Sequence, residues 1–320
     1  MANTKELQNR INSIRDTMKI TKAMYMMSSM KLRKAKQKLE NTEPYFYGLQ
    51  EQIKEILLHF PDMQDIYFDN REQDLLETEK KAAFIVITGD KGMAGAYNHN
   101  VLKEAQIRVD DVEHYKLFVV GEVGRQYFAS YKYELDKDFL FSATNPTLHR
   151  ARVITENVVD LYQRGEVDAV YVIYTRMINS MSSVVETAQL LPLKTHTFVE
   201  QELLAEARKK RGDDLESEEL PPEEWFEIYP SPKAVLEKLA YNYVTGFLYG
   251  ALVEGSASEE NARMIAMQSA TDNATDMLRV LSVEYNRVRQ AMITQEITEV
   301  IGGAKALKKK KRKQKEEAER

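Results

Sequence analysis

Two long heptad patterns, one near each end of the chain, constrain its fold more than any other feature of the 320-residue sequence. Each alternates steps of four and three residues for more than four repeats, which is typical of a coiled coil. The positions of the first are Leu7, Ile11, Ile14, Met18, Thr21, Tyr25, Ser28, Leu32, Ala35 and Leu39. The positions of the second are Met264, Met267, Thr271, Ala274, Leu278, Leu281, Tyr285, Val288, Met292 and Gln295. Two long helices that pack through these faces are therefore predicted.

The two faces are predicted to pack against each other in an antiparallel coiled coil, because they are nearly equal in length and lie at opposite ends of the chain. Small or polar residues interrupt them at Thr21, Ser28, Thr271 and Gln295. Small residues let two backbones approach closely, and polar residues restrict the register at some cost in stability. In the alternative interpretation, which stays open at this point, each helix packs separately on a globular core.

Local signals set the expected limits of both helices. The first is predicted within residues 1–60, with a kink at Pro44, since helical spacing resumes beyond the proline. Ser231 and Pro232 have the character of an N-cap and a first-turn proline, so the second helix is predicted to begin there. It is expected to span residues 231–307 as the C-terminal coiled-coil helix.

The segment between the two helices has a different pattern, with short apolar runs rich in β-branched and aromatic residues. Three such runs are predicted to be strands: residues 82–88, 116–120 and 169–175. The helices expected to alternate with them are residues 99–112, 122–131 and 147–164. A further strand is predicted at the edge of the sheet, at 184–193. This alternation is the signature of a βαβ domain with a mostly parallel sheet.

The predicted fold class is α/β: a long antiparallel coiled coil of the N- and C-terminal helices, with a Rossmann-like βαβ domain inserted between them. The inserted domain is expected to span residues 80–200. Residues 200–230 are dense in charge and contain two consecutive prolines, which predicts a solvent-exposed insertion or linker. Residues 308–320 are rich in lysine and lack apolar positions to bury, so a basic tail is predicted there.

The sequence contains no recognisable catalytic constellation. Cysteine is absent and the five histidines are scattered, so no metal site and no cofactor site are predicted. The glycine-rich run TGDKGMAGAYN at 88–98 suggests a phosphate cradle, but its spacing matches neither the P-loop nor the dinucleotide motif. Tight packing of a strand against the following helix explains its small residues without a ligand. A nucleotide-binding enzyme stays open as an alternative function.

Charge is distributed unevenly, with two basic ends and an acidic middle behind the net charge of −5. Residues 1–40 contain ten Lys and Arg against three Asp and Glu, and residues 308–320 contain eight against three. Basic ends suggest nucleic-acid binding. However, Tyr25 is the only aromatic residue within the first basic run. An acidic protein partner is therefore predicted, and no nucleic acid.

With 43% hydrophobic residues the chain has enough apolar material to bury a core. Even so, no apolar run approaches the roughly 18 residues needed to span a bilayer. The N-terminus is polar from the start and lacks the apolar centre of an export signal. A soluble intracellular chain is therefore expected.

Four motifs in the right order resemble one protein family over nearly the whole chain. The terminal segments are RINSIRDTMKITKAM at 10–24 and YNRVRQAMITQEITEVIGGAKAL at 285–307. The internal segments are ITGDKGMAGAYN at 87–98 and SASEENARMIAMQSATDNA at 256–274. The chain closely resembles the gamma subunit of F-type ATP synthase. It departs from the pattern in the long charged segment around 200–222 and in the lysine-rich tail.

The resemblance implies a central rotor shaft that couples ion flow through a membrane ring to sequential ATP synthesis or hydrolysis at the beta subunits. Implied partners are the alpha and beta subunits of the catalytic hexamer, the epsilon subunit and the c-subunit ring, with one copy of this chain per complex. The chain would be a non-catalytic subunit of an enzyme complex, driven by protons or sodium ions. Its implied location is the cytoplasmic face of the bacterial plasma membrane, as a peripheral protein.

The resemblance also implies which side chains contact partner subunits. The residues carried over by motif are Lys19, Lys22, Met24, Arg263, Arg289, Gln290, Thr294 and Glu296. Arg289 or Gln290 is expected to hydrogen-bond a loop of the beta subunit. The competing interpretations are a solvated basic face for the lysines and simple coil packing for Met24. A stand-alone coiled-coil scaffold stays open as a second alternative function for the whole chain.

Overall fold

The computed structural model describes residues 4–68, 80–200, 203 and 228–318, with side chains described as far as Lys309. The predicted charged insertion at 200–230 therefore lies almost entirely outside the described residues. The chain forms two compact units. The first unit contains Met1–Met26 and Ala266–Arg320, and the second contains Met27–Ile265.

The helices and strands follow the predicted order closely. In chain order they are α1 (Thr4–His59), β1 (Lys81–Ile87), α2 (Tyr97–Asp110), β2 (His114–Val120), α3 (Glu122–Ser130), α4 (Leu148–Gln163), β3 (Ala169–Met177), β4 (Ser183–Leu191) and α5 (Pro232–Ala318). Short 3-10 turns lie at Ile66–Phe68 and Thr195–Thr197. α1 runs through Pro44, and α5 extends beyond the predicted end at 307. The N-cap prediction is confirmed, since the Ala234 amide donates to Ser231 Oγ at 3.2 Å.

In the first unit, the two ends of the chain pack as an antiparallel pair of helices. Leu7 and Ile11 are buried against Leu281, with Ile14, Leu278, Tyr285 and Val288 packed around them. Further along, the hydroxyls of Thr21 and Thr271 are hydrogen-bonded at 2.8 Å. Early residues of α1 therefore meet late residues of α5, which confirms the antiparallel prediction.

In the second unit, the same two helices stay in contact through Ala35, Val253 and Ala257. The face of α5 that packs on α1 thus begins near Tyr249, about fifteen residues before the predicted start at Met264. Almost every residue from Ala251 to Arg263 is buried. A helix that is buried on all sides shows no apolar stripe, so this stretch lacks the periodicity that marks a coiled coil.

The sheet has the strand order β2-β1-β3-β4. β1 pairs in parallel with β2 and β3. β4 lies at the edge of the sheet, as predicted, and runs antiparallel to β3. Alternate residues of β1 face opposite layers. Ala83, Ile85 and Ile87 pack with α4, α5 and the end of α1, whereas Ala82, Phe84 and Val86 pack with α2 and α3. Burial on both faces explains the continuous apolar run of this strand.

Gly255 brings α5 close to the sheet. A Cβ atom at this position would lie 3.0 Å from the side chain of Ile87 and 3.4 Å from the hydroxyl of Tyr97. The missing side chain therefore allows an approach that alanine would hinder, although glycine weakens a helix by about 1 kcal/mol. The close approach places the next turns of α5 against the loop that follows β1.

Candidate functional site

The partner-contact residues expected on α1 lie in the first unit. Lys19 and Lys22 are exposed, and Met24 is half-buried. The ammonium group of Lys19 pairs with Asp16 at 2.9 Å, but both side chains are at least 70% exposed. Such an exposed pair contributes little to stability. The two lysines therefore present positive charge to any acidic surface that approaches this side of α1.

The contact residues expected near the end of α5 are all exposed. The Thr294 hydroxyl donates to the backbone carbonyl of Gln290 at 2.9 Å, so it is directed towards its own helix. Arg289, Gln290 and Glu296 point a cation, an amide and a carboxylate outward. This part of α5 therefore offers hydrogen-bonding groups of every type to a partner loop.

These two groups of residues are well separated within the first unit. Thr21, at the centre of the α1 group, bonds to Thr271, whereas Thr4 donates to the sulfur of Met292 at 3.5 Å. Positions 271 and 292 differ by about twenty residues, which corresponds to roughly 30 Å of helix at 1.5 Å per residue. The predicted contacts therefore form two surfaces of the first unit rather than one site.

The last part of α5 has an exposed apolar face, of which the heptad series included only Met292. This terminal apolar face consists of Met292, Ile293, Ile297, Val300, Ile301 and Leu307, each at least 43% exposed. Ile293, Ile297, Val300 and Leu307 are spaced by four, three and seven residues. This heptad spacing beyond Gln295 could have predicted the apolar face from the sequence. A contiguous exposed apolar face of this kind marks a protein interface.

Arg263 differs from the other contact residues, because it lies in the second unit and is buried. Its guanidinium pairs with Glu259 one turn earlier and with Glu260 at 3.1 Å. The same group makes long contacts of 3.4 Å to the backbone carbonyls of Lys91 and Gly92. Lys31 of α1 completes the cluster by pairing with Glu260 at 2.9 Å. Arg263 thus ties α5 to the loop after β1, and a partner contact through it stays a prediction.

The pKa values of the two carboxylates in this cluster, Glu259 and Glu260, are shifted in opposite directions. Burial raises the pKa of Glu259, and the hydrogen bond from Arg263 only partly offsets that effect. Burial also acts to raise the pKa of Glu260, but hydrogen bonds from Lys31 and Ser28 outweigh it and hold the pKa below its usual value. The contacts of Arg263 raise its pKa against the effect of burial. The cluster therefore depends on the arginine, which contacts both carboxylates.

The glycine-rich run binds its own chain, which agrees with the packing interpretation of its small residues. The amide of Gly89 donates to Asn98 Oδ1 at 2.8 Å, and the Thr88 hydroxyl donates to the Val120 carbonyl at 2.9 Å. A Cβ atom on Gly89 would lie 2.8 Å from a carboxylate oxygen of Glu259. This glycine therefore makes room for the buried carboxylate of α5.

Asp90, the next residue, is a hydrogen-bond acceptor for a distant loop. It accepts from the Thr144 amide at 2.9 Å, the Thr144 hydroxyl at 2.7 Å and the Ala143 amide at 3.2 Å, and also from the Ser142 hydroxyl. Burial acts to raise the pKa of Asp90, but these hydrogen bonds dominate and lower it to about 2. The ionised carboxylate therefore holds the loop.

Asp90→Asn is expected to lower stability by a pH-dependent amount. Because the pKa of this carboxyl is lower in the folded chain, its contribution is present above about pH 4 and is lost as the pH falls towards about 2. After allowance for solvent screening, the contribution is about 1 kcal/mol. Urea unfolding of both chains should show a difference at pH 7 that shrinks below pH 4. A difference that is constant with pH would contradict this role.

Neither a metal centre nor a membrane span is found in the part of the chain that the structure describes. No group of three or more potential ligands among the described residues is arranged to hold a metal ion. Likewise, no described helix combines the length and apolar character required to cross a bilayer.

Comparison with known proteins identifies the family. The family model described as ATP synthase matches residues 3–307. The ATP synthase gamma chain of Ruminiclostridium cellulolyticum is 42% identical over 306 residues, covering 95% of this chain and 99% of that protein. The gamma chain of Acetivibrio thermocellus is 41% identical, covering 96% and 100%. A gamma chain of Acetobacterium woodii, named as sodium ion specific, is 37% identical, covering 95% and 99%.

Solved structures agree at the level of the fold. A chain of the central stalk and c-ring of the Tetrahymena thermophila mitochondrial ATP synthase has a TM-score of 0.53 and 23% identity, covering 78% of this chain and 99% of its own length. A chain from the Euglena gracilis mitochondrial enzyme has a TM-score of 0.51 and 17% identity, covering 89% and 95%. On the full-length similarity in sequence, this chain belongs to the gamma-chain family of the ATP synthases.

Proposed function

We propose that this chain is the central rotor shaft of an F-type ATP synthase. It couples ion flow through a membrane ring to sequential ATP synthesis or hydrolysis at the beta subunits. The observation that carries the proposal is similarity to gamma chains over 95% of this chain and 99% of the relative's length. A match of that extent covers both terminal helices and the inserted sheet, so it supports the function of the whole chain rather than of one module.

The terminal apolar face supports the assignment of the alpha and beta subunits as partners. It begins at Met292, where Thr4 makes the last described contact between α1 and α5, and its other five residues lie beyond that contact. A helix that exposes such a face in isolation needs a protein sleeve to shield it from water. The catalytic hexamer supplies that sleeve, and the polar groups at Arg289, Gln290 and Glu296 meet its loops.

The exposed lysines of α1 form the second proposed contact with the hexamer. Lys19 and Lys22 face acidic loops of the beta subunit, whose nucleotide sites open and close as the asymmetric shaft turns. Attraction between exposed charges is screened within about 10 Å at 0.1 M salt, so these contacts guide rotation without trapping one angle. The half-buried Met24 packs beside them and adapts to changing neighbours.

The remaining partners and the location follow from the same proposal. The sheet unit faces the epsilon subunit and the c-subunit ring, and one copy of the chain is present per complex. The complex is membrane-associated, with this chain peripheral on the cytoplasmic face of the bacterial plasma membrane. The relatives include one named as sodium ion specific, so reconstituted vesicles should be tested with both Na⁺ and H⁺ gradients.

The isolated chain is expected to hydrolyse no ATP, because the glycine-rich run is occupied by contacts to its own chain. Added to purified alpha and beta subunits, it should be required for rapid, sustained ATP hydrolysis. The measurement is phosphate release with the chain alone, with the subunits alone and with the mixture. Turnover by the chain alone would favour the nucleotide-binding enzyme, whereas absence of association with the subunits would favour a stand-alone scaffold.

A further inference from the structure

A loop of the second unit lies across the carboxyl ends of β1 and β2. We call residues 139–147 the strap. Phe139, at its start, is buried against Phe118 of β2, with ring centroids 5.1 Å apart. Thr147, at its end, caps α4 by accepting from the Arg150 amide at 3.2 Å. The strap contains no helix or strand, yet side chains from several elements hold it.

Two arginines and Asp90 fasten the strap to the sheet. Asp90, which directly follows the end of β1, binds the strap at residues 142–144 through the bonds described above. Arg150 of α4 donates to the Ser142 and Thr144 carbonyls at 2.6 and 3.0 Å. Arg125 of α3 donates to the Phe141 carbonyl at 2.9 Å. Charged side chains therefore bond backbone groups of the strap at each residue from Phe141 to Thr144, which fixes its position relative to the sheet.

One lysine joins the strap to the long N-terminal helix. Lys38 of α1 donates to the side-chain oxygen of Asn145 at 3.0 Å and to the Pro146 carbonyl at 3.2 Å. Asn145 adopts a left-handed backbone conformation with φ of 51°. A non-glycine residue in this region is uncommon, although asparagine tolerates it better than most. The strap therefore turns sharply at the point where the lysine holds it.

The C-terminal helix has a different attachment to the same sheet. The Ser258 hydroxyl donates to the Thr175 carbonyl of β3 at 3.0 Å, and Glu254 accepts from the Met177 amide at 3.1 Å. Asn261 donates to the Ser180 carbonyl in the β3–β4 turn at 3.1 Å. α5 is thus attached at the end of β3 and at the β3–β4 turn, which together we call the β3–β4 edge. Lys38 instead attaches α1 to the strap, which lies at the carboxyl ends of β1 and β2.

We propose that the strap, with Lys38 and Asn145 as its positioning residues, transmits torque between α1 and the sheet domain. The proposal rests on the rotor function proposed above. Torque turns both helices of a two-helix coil in the same sense around the common axis, so the two helices, which lie on opposite sides of that axis, are displaced in opposite directions. Each helix therefore needs its own attachment if the sheet is to turn with the coil. The β3–β4 edge serves α5, and the strap serves α1, whose last turns also pack on the sheet through Ile53, Ile56 and Leu57.

The test is ion pumping by the complete complex in sealed vesicles, with ATP hydrolysis measured in parallel. Lys38→Met removes both bonds to the strap but leaves an aliphatic chain of similar length. Lys54→Met is the matched control, because Lys54 lies on the same helix and pairs only weakly with Glu51 of that helix, at 3.6 Å. Lys38→Met should lower the ions pumped per ATP about two-fold against a high opposing gradient. ATP hydrolysis by the alpha and beta subunits assembled with the variant chain, away from the membrane, should stay at the wild-type rate. The Tm of the isolated variant chain should also stay at the wild-type value.

A rescue experiment separates torque transmission from simple stabilisation. The chain has no cysteine, so Lys38→Cys and Asn145→Cys can be combined and bridged with a short bifunctional thiol reagent. The bridged protein should recover the wild-type pumping ratio, and the unbridged protein should not. An unchanged ratio in Lys38→Met, or equal losses of pumping, hydrolysis and Tm, would overturn the proposal. Failure of the wild-type chain to support any pumping would instead overturn the rotor function itself.

Discussion

Arg263→Ala is expected to lower the free energy of unfolding of the isolated chain by about 3–5 kcal/mol, the cost of breaking a buried ion pair. The arginine, Glu259 and Glu260 all have side chains less than one-tenth exposed. Without the arginine, no cation among the described residues pairs with Glu259, and Lys31 is the one described cation that still pairs with Glu260. Urea denaturation at pH 7 measures the effect directly.

Arg279→Ala is the matched control for this prediction. Arg279 lies on the same helix but is exposed, and surface substitutions of this kind usually change stability by less than about 0.5 kcal/mol. Combining Arg263→Met with Glu259→Gln and Glu260→Gln should recover part of the loss, because no buried carboxylate then remains unpaired. A loss of under 1 kcal/mol for Arg263→Ala would show that the ion pairs contribute little, whatever their burial.

The same variant has a predictable dependence on pH. Burial already raises the pKa of Glu259, and removing the Arg263 hydrogen bond should raise it further. A carboxyl with a raised folded-state pKa destabilises the fold as the pH rises above its unfolded value. The deficit of Arg263→Ala should therefore shrink as the pH falls below the raised pKa of Glu259. Because these measurements use the isolated chain, they test the internal role of Arg263 apart from any contact with a partner.

The helices and strands of this fold were predictable where neighbouring residues in the sequence show an apolar run or a heptad spacing. The strand at 82–88 is a continuous run of β-branched and apolar residues, which buried parallel strands require. The packing of Leu7 and Ile11 on Leu281 follows from heptad spacing at both ends. The face of α5 before Met264 was missed, because burial on every side removes the periodicity on which such predictions depend.

The strap, the Lys31–Glu260 pair and the contacts of Arg263 with the loop after β1 were not predictable, because they join residues far apart in the sequence. Asp90 accepts from Thr144, 54 positions later, and Lys38 donates to Asn145, 107 positions later. No heptad or strand pattern encodes such a pair. Arg263 shows the consequence, since the motif around it predicted only a partner contact, which stays a prediction, and gave no sign of the buried ion pairs that its guanidinium makes.

Gly121→Ala is expected to destabilise the chain by about 3–5 kcal/mol, since backbone strain and overpacking each cost about 1–3 kcal/mol. Gly121 has φ of 96° and ψ of 142°, a conformation that is essentially restricted to glycine. A Cβ atom there would also lie 2.4 Å from the backbone oxygen of Thr88. That oxygen belongs to the backbone just after β1, so it cannot move away without disturbing the end of the sheet.

Gly48→Ala is the control that isolates this cause. Gly48 lies within α1, and a Cβ atom there would meet nothing within 4 Å. Alanine should therefore stabilise that helix by up to about 1 kcal/mol. The two substitutions add the same methyl group, so opposite signs in urea denaturation would assign the effect of Gly121→Ala to its backbone conformation and to the Thr88 oxygen. Two small changes of the same sign would mean that the loop between β2 and α3 rearranges at little cost. In that case the bond that the Gly121 amide donates to the Phe141 carbonyl of the strap, at 3.0 Å, would not be rigid enough to transmit load.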